Sequence, residues 1–317
     1  SILAASVATF LAVLAPGASA AVKMPCILSD NMVLQRGMPV PIWGWAEPGE
    51  KVTVRLAGQT ASAVADDQGR WKVVLAKLDA GGPFEMRIEA KSGDLTIKNV
   101  LIGEVWVAGG QSNMGMVVDS AKDSKKEEAA ANYPELRLFS MADQRSNMPM
   151  ADCKEGRWMV CNPHDTSWYS AIAYFFGRML HKELRVPVGM VNTAIGGTPI
   201  HSWTPRTTLD RLSISGGAEL YNGMVAPLTP LAIRGVIWYQ GEGNVGQTEW
   251  FRKIFPQQIR GWRSDWGRDE LPFLFVELAP CRYPADQKGK LPGIWDSQFM
   301  ALRTVPNTGL VVTTDLV

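Results

Sequence analysis

The chain has 317 residues, 46% of them hydrophobic and 20% charged, with a formal net charge of +1. That length holds one large domain or two ordinary ones, with the composition of a water-soluble globular protein. The near-neutral charge, and the lack of basic runs interleaved with aromatics or of zinc-type Cys/His spacing, exclude a nucleic-acid partner and a structural metal site.

The first twenty residues, "SILAASVATFLAVLAPGASA", are apolar and uncharged and end in Ala18-Ser19-Ala20, a small-x-small cleavage signal. Residues 1–20 therefore read as part of a signal peptide lacking its basic start, and the mature protein is expected in the periplasm or outside the cell. The run is broken by Pro16-Gly17, and no other segment is long and apolar enough for a membrane span, so no membrane association is expected after cleavage. Export permits disulfides. Of Cys26, Cys153, Cys161 and Cys281, the pair Cys153–Cys161 brackets a short loop and is the expected bridge.

Residues 21–100 read as a small all-β domain. "PVPIWGWA", "EKVTVRLA", "GRWKVVLA", "PFEMRIEA" and "DLTIKNVLIG" alternate apolar and polar residues between Gly- and Pro-rich turns, at roughly 10-residue spacing, as in a sandwich. From residue 101 the pattern changes to α/β. Strands are predicted at "EVWVAG", 188–194, 234–240, 272–278 and 308–315. Helices are predicted at 170–184, at 248–266 with a kink or break at Pro256, and at 295–305. Alternating strands and helices imply a central parallel sheet covered on both faces, with the ligand at the carboxyl ends of its strands.

Three motifs fall just after predicted strands. In "VWVAGGQSNMGM", Gly109-Gly110 allow a tight turn into Ser112, which either caps the next helix or presents a nucleophilic hydroxyl. In "NTAIGGTPIHSW", Gly196-Gly197 form an ordinary loop or offer an N–H to an oxyanion. In "WYQGEGN", Gln240, Glu242 and Asn244 need hydrogen-bond partners if buried. The Gln240 amide suits an oxyanion donor, and Glu242 suits orienting a base or holding a loop.

"GGQSNM", "NTAIGGTPIHSW" and "WYQGEGN", in this order, resemble the sialate O-acetylesterase family of the SGNH hydrolases, and "LSDNMVLQRGMPVPIWGWAEPGE" extends the likeness over residues 24–317. The resemblance implies a three-layer α/β hydrolase domain over residues 101–317, behind the β domain. It implies a serine esterase that removes acetyl groups from sugars without a metal or organic cofactor. Ser112 matches the nucleophile. The N–H groups of Ser112 and of Gly196 or Gly197, with the Gln240 side chain, match the oxyanion hole, and Gln111, Asn113, Glu242 and Asn244 match supporting positions. The family's general base lies in a D-x-x-H-like segment that these 317 residues do not contain, so the chain is expected to be a C-terminally truncated, nearly inactive piece. Asp315 lies in the preceding strand motif and is not the triad acid; Glu242 is a fallback acid. Of His164, His181 and His201, His201 alone, close to the glycine motif, is a candidate substitute base. Two other readings stay open. One is an acetylxylan esterase. The other is a non-catalytic sugar-binding protein using Trp43, Trp45, Trp203 and Trp238, since indole faces stack on sugar rings. Arg206 and Arg234 are chemically suited to reading a sialate carboxylate, though Arg234 at a strand start suits a structural role.

Overall fold

A computed structural model describes residues 21–280 and 289–314; the signal-peptide reading of residues 1–20, Cys281 and Asp315 lie outside the described residues. In chain order the β region comprises β1 (Val33–Gln35), β2 (Val40–Trp45), β3 (Lys51–Leu56), β4 (Gln59–Val64), β5 (Arg70–Leu75) and β6 (Gly81–Ala90). Then come β7 (Leu95–Gly110), α1 (Ser112–Gly115), α2 (Ser124–Ala130), β8 (Tyr133–Met141), β9 (Gly156–Cys161), α3 (Pro163–Ser167), α4 (Ala171–Leu184) and β10 (Val188–Asn192). The chain continues with α5 (Arg206–Arg211), β11 (Gly235–Tyr239), α6 (Thr248–Asp265), β12 (Phe273–Val276), α7 (Leu291–Thr304) and β13 (Thr308–Val311).

The β region places alternate residues inward. In β3 and β5, Val52, Val54, Leu56, Trp71, Val73 and Leu75 are buried while their neighbours face out. β2 pairs with β5 in one small antiparallel sheet, while β4, β3 and β6 lead into β7 in another. The central sheet has the order β13-β12-β11-β7-β10-β8-β9. All neighbouring pairs are parallel except β8 with β9.

Register shows how the sheet is covered. Trp106 lies beside Gly235, and Trp238 lies beside Gly109, so the two indoles project from opposite faces. Trp106 meets Phe176 of α4, with ring centroids 5.0 Å apart; Trp238 meets Trp262 of α6 at 5.6 Å. Helices therefore cover both faces, as expected for a three-layer α/β domain. α6 runs through Pro256 without a break. Proline removes one N–H bond, but Phe251, Ile254, Phe255, Ile259 and Trp262 make a buried stripe that holds both halves against the sheet.

The strands predicted at "DLTIKNVLIG" and "EVWVAG" are one sixteen-residue strand, so the expected boundary at 100/101 falls inside β7. Its first half pairs with β6 and β1, its second with β10 and β11. At the changeover sits Glu104, which accepts from Arg36 Nε at 2.7 Å and from Arg234 Nε at 2.6 Å. Burial works against its charge, but the hydrogen bonds of Arg234 and then Arg36 outweigh it and hold the carboxyl below its ordinary range. Arg234 is thus structural rather than a sialate reader. Arg206 is likewise engaged, with Asp210 and the carbonyls of Gly216 and Ile214.

The expected Cys153–Cys161 bridge is corrected: Cys153 pairs with Cys26, Cα atoms 6.0 Å apart, and Cys161 is a buried free thiol beside Thr166 Oγ1. Cys153 precedes β9 and Cys161 ends it. Strand residues advance about 3.3 Å each, so the two lie roughly 20 Å apart, far beyond the reach of a disulfide.

Glu104→Ala is expected to cost about 1.5–3 kcal/mol by removing charge-assisted hydrogen bonds from two arginines that stay partly solvated. Because the folded pKa of Glu104 is lowered, its contribution is present above the ordinary carboxylate pKa and is lost as pH falls through the lowered folded value. Urea denaturation of wild type and variant at neutral and acidic pH reads this as a gap that closes in acid.

Candidate active site

β7 is flanked by β10 and β11, so the loops that follow these three strands meet at one edge of the sheet. Those loops carry Ser112, Gly196-Gly197 and Gln240. The sequence motifs are therefore brought together, at the carboxyl ends where α/β sheets bind ligands.

Crowding explains the glycines before Ser112. A Cβ on Gly109 would sit 3.0 Å from the Trp238 ring, and one on Gly110, whose φ is +140°, would sit 2.1 Å from the Tyr239 carbonyl oxygen. Only glycine lets β7 end this close to β11. The Ser112 side chain does not cap α1: the capping position is Gln111, and the helix has no side-chain cap. Ser112 is the first helical residue and is exposed, so its side chain is open to solvent and its N–H has no acceptor within the helix. Gly196 approaches from the other side: a Cβ there would lie 3.6 Å from Ser112 Cβ. Gly197 has φ +72° and open space beyond it.

The remaining motif residues lock these loops. Buried Gln111 accepts at Oε1 from Gly243 N at 3.0 Å, tying the serine turn to the loop after β11. Asn113 Nδ2 donates to Glu242 Oε1 across the same gap. Asn244 Oδ1 accepts from Ile200 N at 2.8 Å and from Gln240 Nε2 at 2.9 Å. Gln240 Nε2 also donates to the Thr198 carbonyl at 3.1 Å. Gln240 is fully buried, and its amide reaches an oxyanion only by giving up one of these bonds. Burial raises the pKa of Glu242 despite opposing hydrogen bonds from its own backbone, Asn113 and Gly241, and Glu242 Oε2 is buried without a partner among the described residues.

The histidines divide. His164 is exposed in α3, and His181 Nδ1 shares a hydrogen bond with the Val186 carbonyl at 2.8 Å. His201 packs edge-on against Trp250, centroids 5.8 Å apart, with Nδ1 buried and unpartnered among the described residues. Burial lowers its pKa, and the Glu219 charge only partly offsets this. The tryptophans proposed as sugar platforms are mostly core. Trp203 and Trp238 are fully buried, Trp43 is buried, and Trp45 is half-buried under the Lys23 ammonium. Aromatic bulk filling the core removes the sequence-level case for a sugar-binding face built on them. The exposed indoles are Trp168 and Trp250, which sequence reasoning missed because composition does not say which indoles face water.

Residues 102–317 match the model of a carbohydrate esterase family described as sialic acid-specific acetylesterase. The chain belongs to this family. The sialate O-acetylesterases of Homo sapiens and Pongo abelii are each 29% identical to it over 335 residues, covering 91% of this chain and 64% of theirs. The chain thus spans just under two thirds of the length of these curated relatives. The crystal structure of a carbohydrate acetylesterase from Xanthomonas citri superposes with a TM-score of 0.87 at 37% identity, covering 93% of this chain and 69% of that one. Among the described residues, no helix is long and apolar enough to cross a membrane.

Asn113→Ala removes one donor to Glu242 and is expected to raise its pKa further. A carboxyl whose folded pKa is raised costs stability as pH climbs above its ordinary value. The variant is therefore expected to lose about 1–3 kcal/mol near pH 8 and less near pH 5, by urea denaturation at both.

Proposed function

We propose that the protein is an exported carbohydrate O-acetylesterase in which Ser112 is the nucleophile. One observation carries this: an exposed serine on a glycine-enforced strand-to-helix turn, beside a second glycine loop, at the ligand-binding edge of the sheet. Family membership supports the reaction class, and the Cys26–Cys153 pair supports an oxidising compartment.

Ser112 Oγ gives its proton to a general base and attacks the acetyl carbonyl. The resulting oxyanion accepts from the N–H of Ser112 and from that of Gly196 or Gly197. Gln240 adds a third donor if it exchanges its Thr198 bond for the oxyanion, and otherwise serves to fix the loop. Collapse releases the sugar hydroxyl, and water then hydrolyses the acetyl-enzyme. Each oxyanion donor is worth about 3–4 kcal/mol of transition-state stabilisation. No metal or organic cofactor enters these steps.

The family resemblance assigns the base to a D-x-x-H-like segment, and no D-x-x-H occurs in the 317 residues. A protein limited to residues 21–317 is therefore expected to keep only about 10³–10⁴-fold acceleration over water. His201, its ring packed edge-on against Trp250, is assigned to the substrate cleft or to the structure rather than to the proton transfer.

In a full-length protein that carries the D-x-x-H-like segment, acetate release from acetylated sugars is expected to fall by at least about 10³-fold in Ser112→Ala, with the fold intact by circular dichroism. His201→Ala is expected to change the rate far less. Equal rates for Ser112→Ala and wild type contradict the assignment of the nucleophile, and a loss in His201→Ala as deep as that in Ser112→Ala contradicts the assignment of the base. Rates on O-acetyl sialic acid and on acetylated xylo-oligosaccharides, measured side by side, separate sialate esterase from acetylxylan esterase.

A further inference from the structure

We propose that the cleft between β8, β9 and α3 is a subsite for a neutral sugar ring of the acetylated glycan, with the Trp168 indole as its platform. This rests on the esterase reading and goes beyond it. It assigns the substrate to a class: an acetylated oligosaccharide that extends past the sugar bearing the ester.

The cleft holds about 490 Å³, within the range of small-ligand sites, and Ser140, Met141, Arg157, His164, Asp165 and Trp168 line it. Trp168 is 71% exposed, whereas Trp203, Trp238 and Trp262 are fully buried. A large indole left in water on a concave wall offers an apolar face to a partner. The platform is also rigid. Tyr169, next in sequence, is buried and donates its hydroxyl to the Met190 carbonyl at 2.7 Å. Ser170 Oγ donates to the Met114 carbonyl at 2.6 Å and caps α4 through Ala173 N. Ala171 N donates to Met116 O at 2.7 Å, and Val118 N to Tyr169 O at 3.0 Å. Five hydrogen bonds thus fix the Trp168 segment to the sheet, to its own helix and to the stretch that follows Ser112.

Position and charge decide the ligand. Ser140 lies beside Asn192, which lies beside Ala108, so the cleft opens at the same carboxyl edge as Ser112. Two interstrand spacings of about 4.8 Å put it roughly 10 Å from the end of β7, one sugar unit beyond the acetylated one. Arg157 lies 4.0 Å from Asp165, whose Oδ2 also accepts from Asn162 Nδ2 at 2.8 Å, and Glu155 lines the same wall. One guanidinium and two carboxylates on the lining give no net positive field for an acidic sugar. They give interleaved donors and acceptors, which suit hydroxyl groups.

Trp168→Ala and Trp168→Phe test this on an exposed side chain that the fold does not need. Acetylated xylo- and manno-oligosaccharides are compared with 4-nitrophenyl acetate, which is too small to reach the cleft. Trp168→Ala is expected to lower kcat/KM for the oligosaccharides roughly 5- to 10-fold, through KM, leaving 4-nitrophenyl acetate unchanged, and Trp168→Phe to restore most of the loss. Equal effects on both substrates, or no effect on either, overturn the subsite. The rates are measured on the full-length protein that carries the D-x-x-H-like segment; if its wild type hydrolyses neither substrate, the esterase reading fails, and calorimetric titration with the deacetylated oligosaccharides decides the subsite. Binding that Trp168→Ala loses upholds it; no binding to wild type overturns it.

Discussion

The architecture hangs on the continuous hydrogen bonding of β7. Its first residues complete the small β sheet and its last form the centre of the α/β sheet. The two parts therefore cannot pivot about residue 100 without breaking a strand. The changeover is held by a buried carboxylate between two arginines, an arrangement that is costly to lose and indifferent to ordinary neutral-pH variation. The β region and the α/β region are thus continuous through one strand.

The same strand positions the chemistry. β7 ends where its backbone runs so close to β11 that only glycines fit, and the chain must then turn sharply into Ser112. The neighbouring loops are pinned by side-chain amides rather than by their own secondary structure: Gln111, Asn113, Gln240 and Asn244 each bond across to another loop or along their own. Such a lattice holds backbone N–H groups still while leaving Ser112 exposed, which is what the proposed mechanism requires of an oxyanion site.

Much of this was legible from the chain because it is local. Alternating or continuous apolar runs mark β2, β3, β5, β6, β10, β11 and β12, and helical spacing marks α4 and α6. The motif glycines mark the turns. Less local features were not legible. β4, "QTASAV", buries little on either face and carries no apolar signal. β8 begins with polar Tyr-Pro-Glu before its buried stretch, and β9 is defined by pairing with it. The disulfide joins residues separated by 127 positions, a pairing that loop proximity cannot suggest. The tryptophans show the same limit. Their number hinted at sugar contacts, but burial assigns Trp203 and Trp238 to the core and leaves Trp168 on a cleft wall. In the candidate site, residue types and order were readable, whereas the partners of Gln240 depend on a loop 42 residues away in sequence.

The central claim is that Ser112 becomes acetylated during turnover. The most direct measurement is to mix the full-length protein, with its D-x-x-H-like segment, with an acetylated oligosaccharide, quench in acid within the first turnover, and map acetyl groups by peptide mass spectrometry. The account predicts one acetyl group on the peptide containing Ser112, absent from Ser112→Ala. Acetate release with no acetylated peptide at Ser112, or with the acetyl group on another side chain, would contradict it.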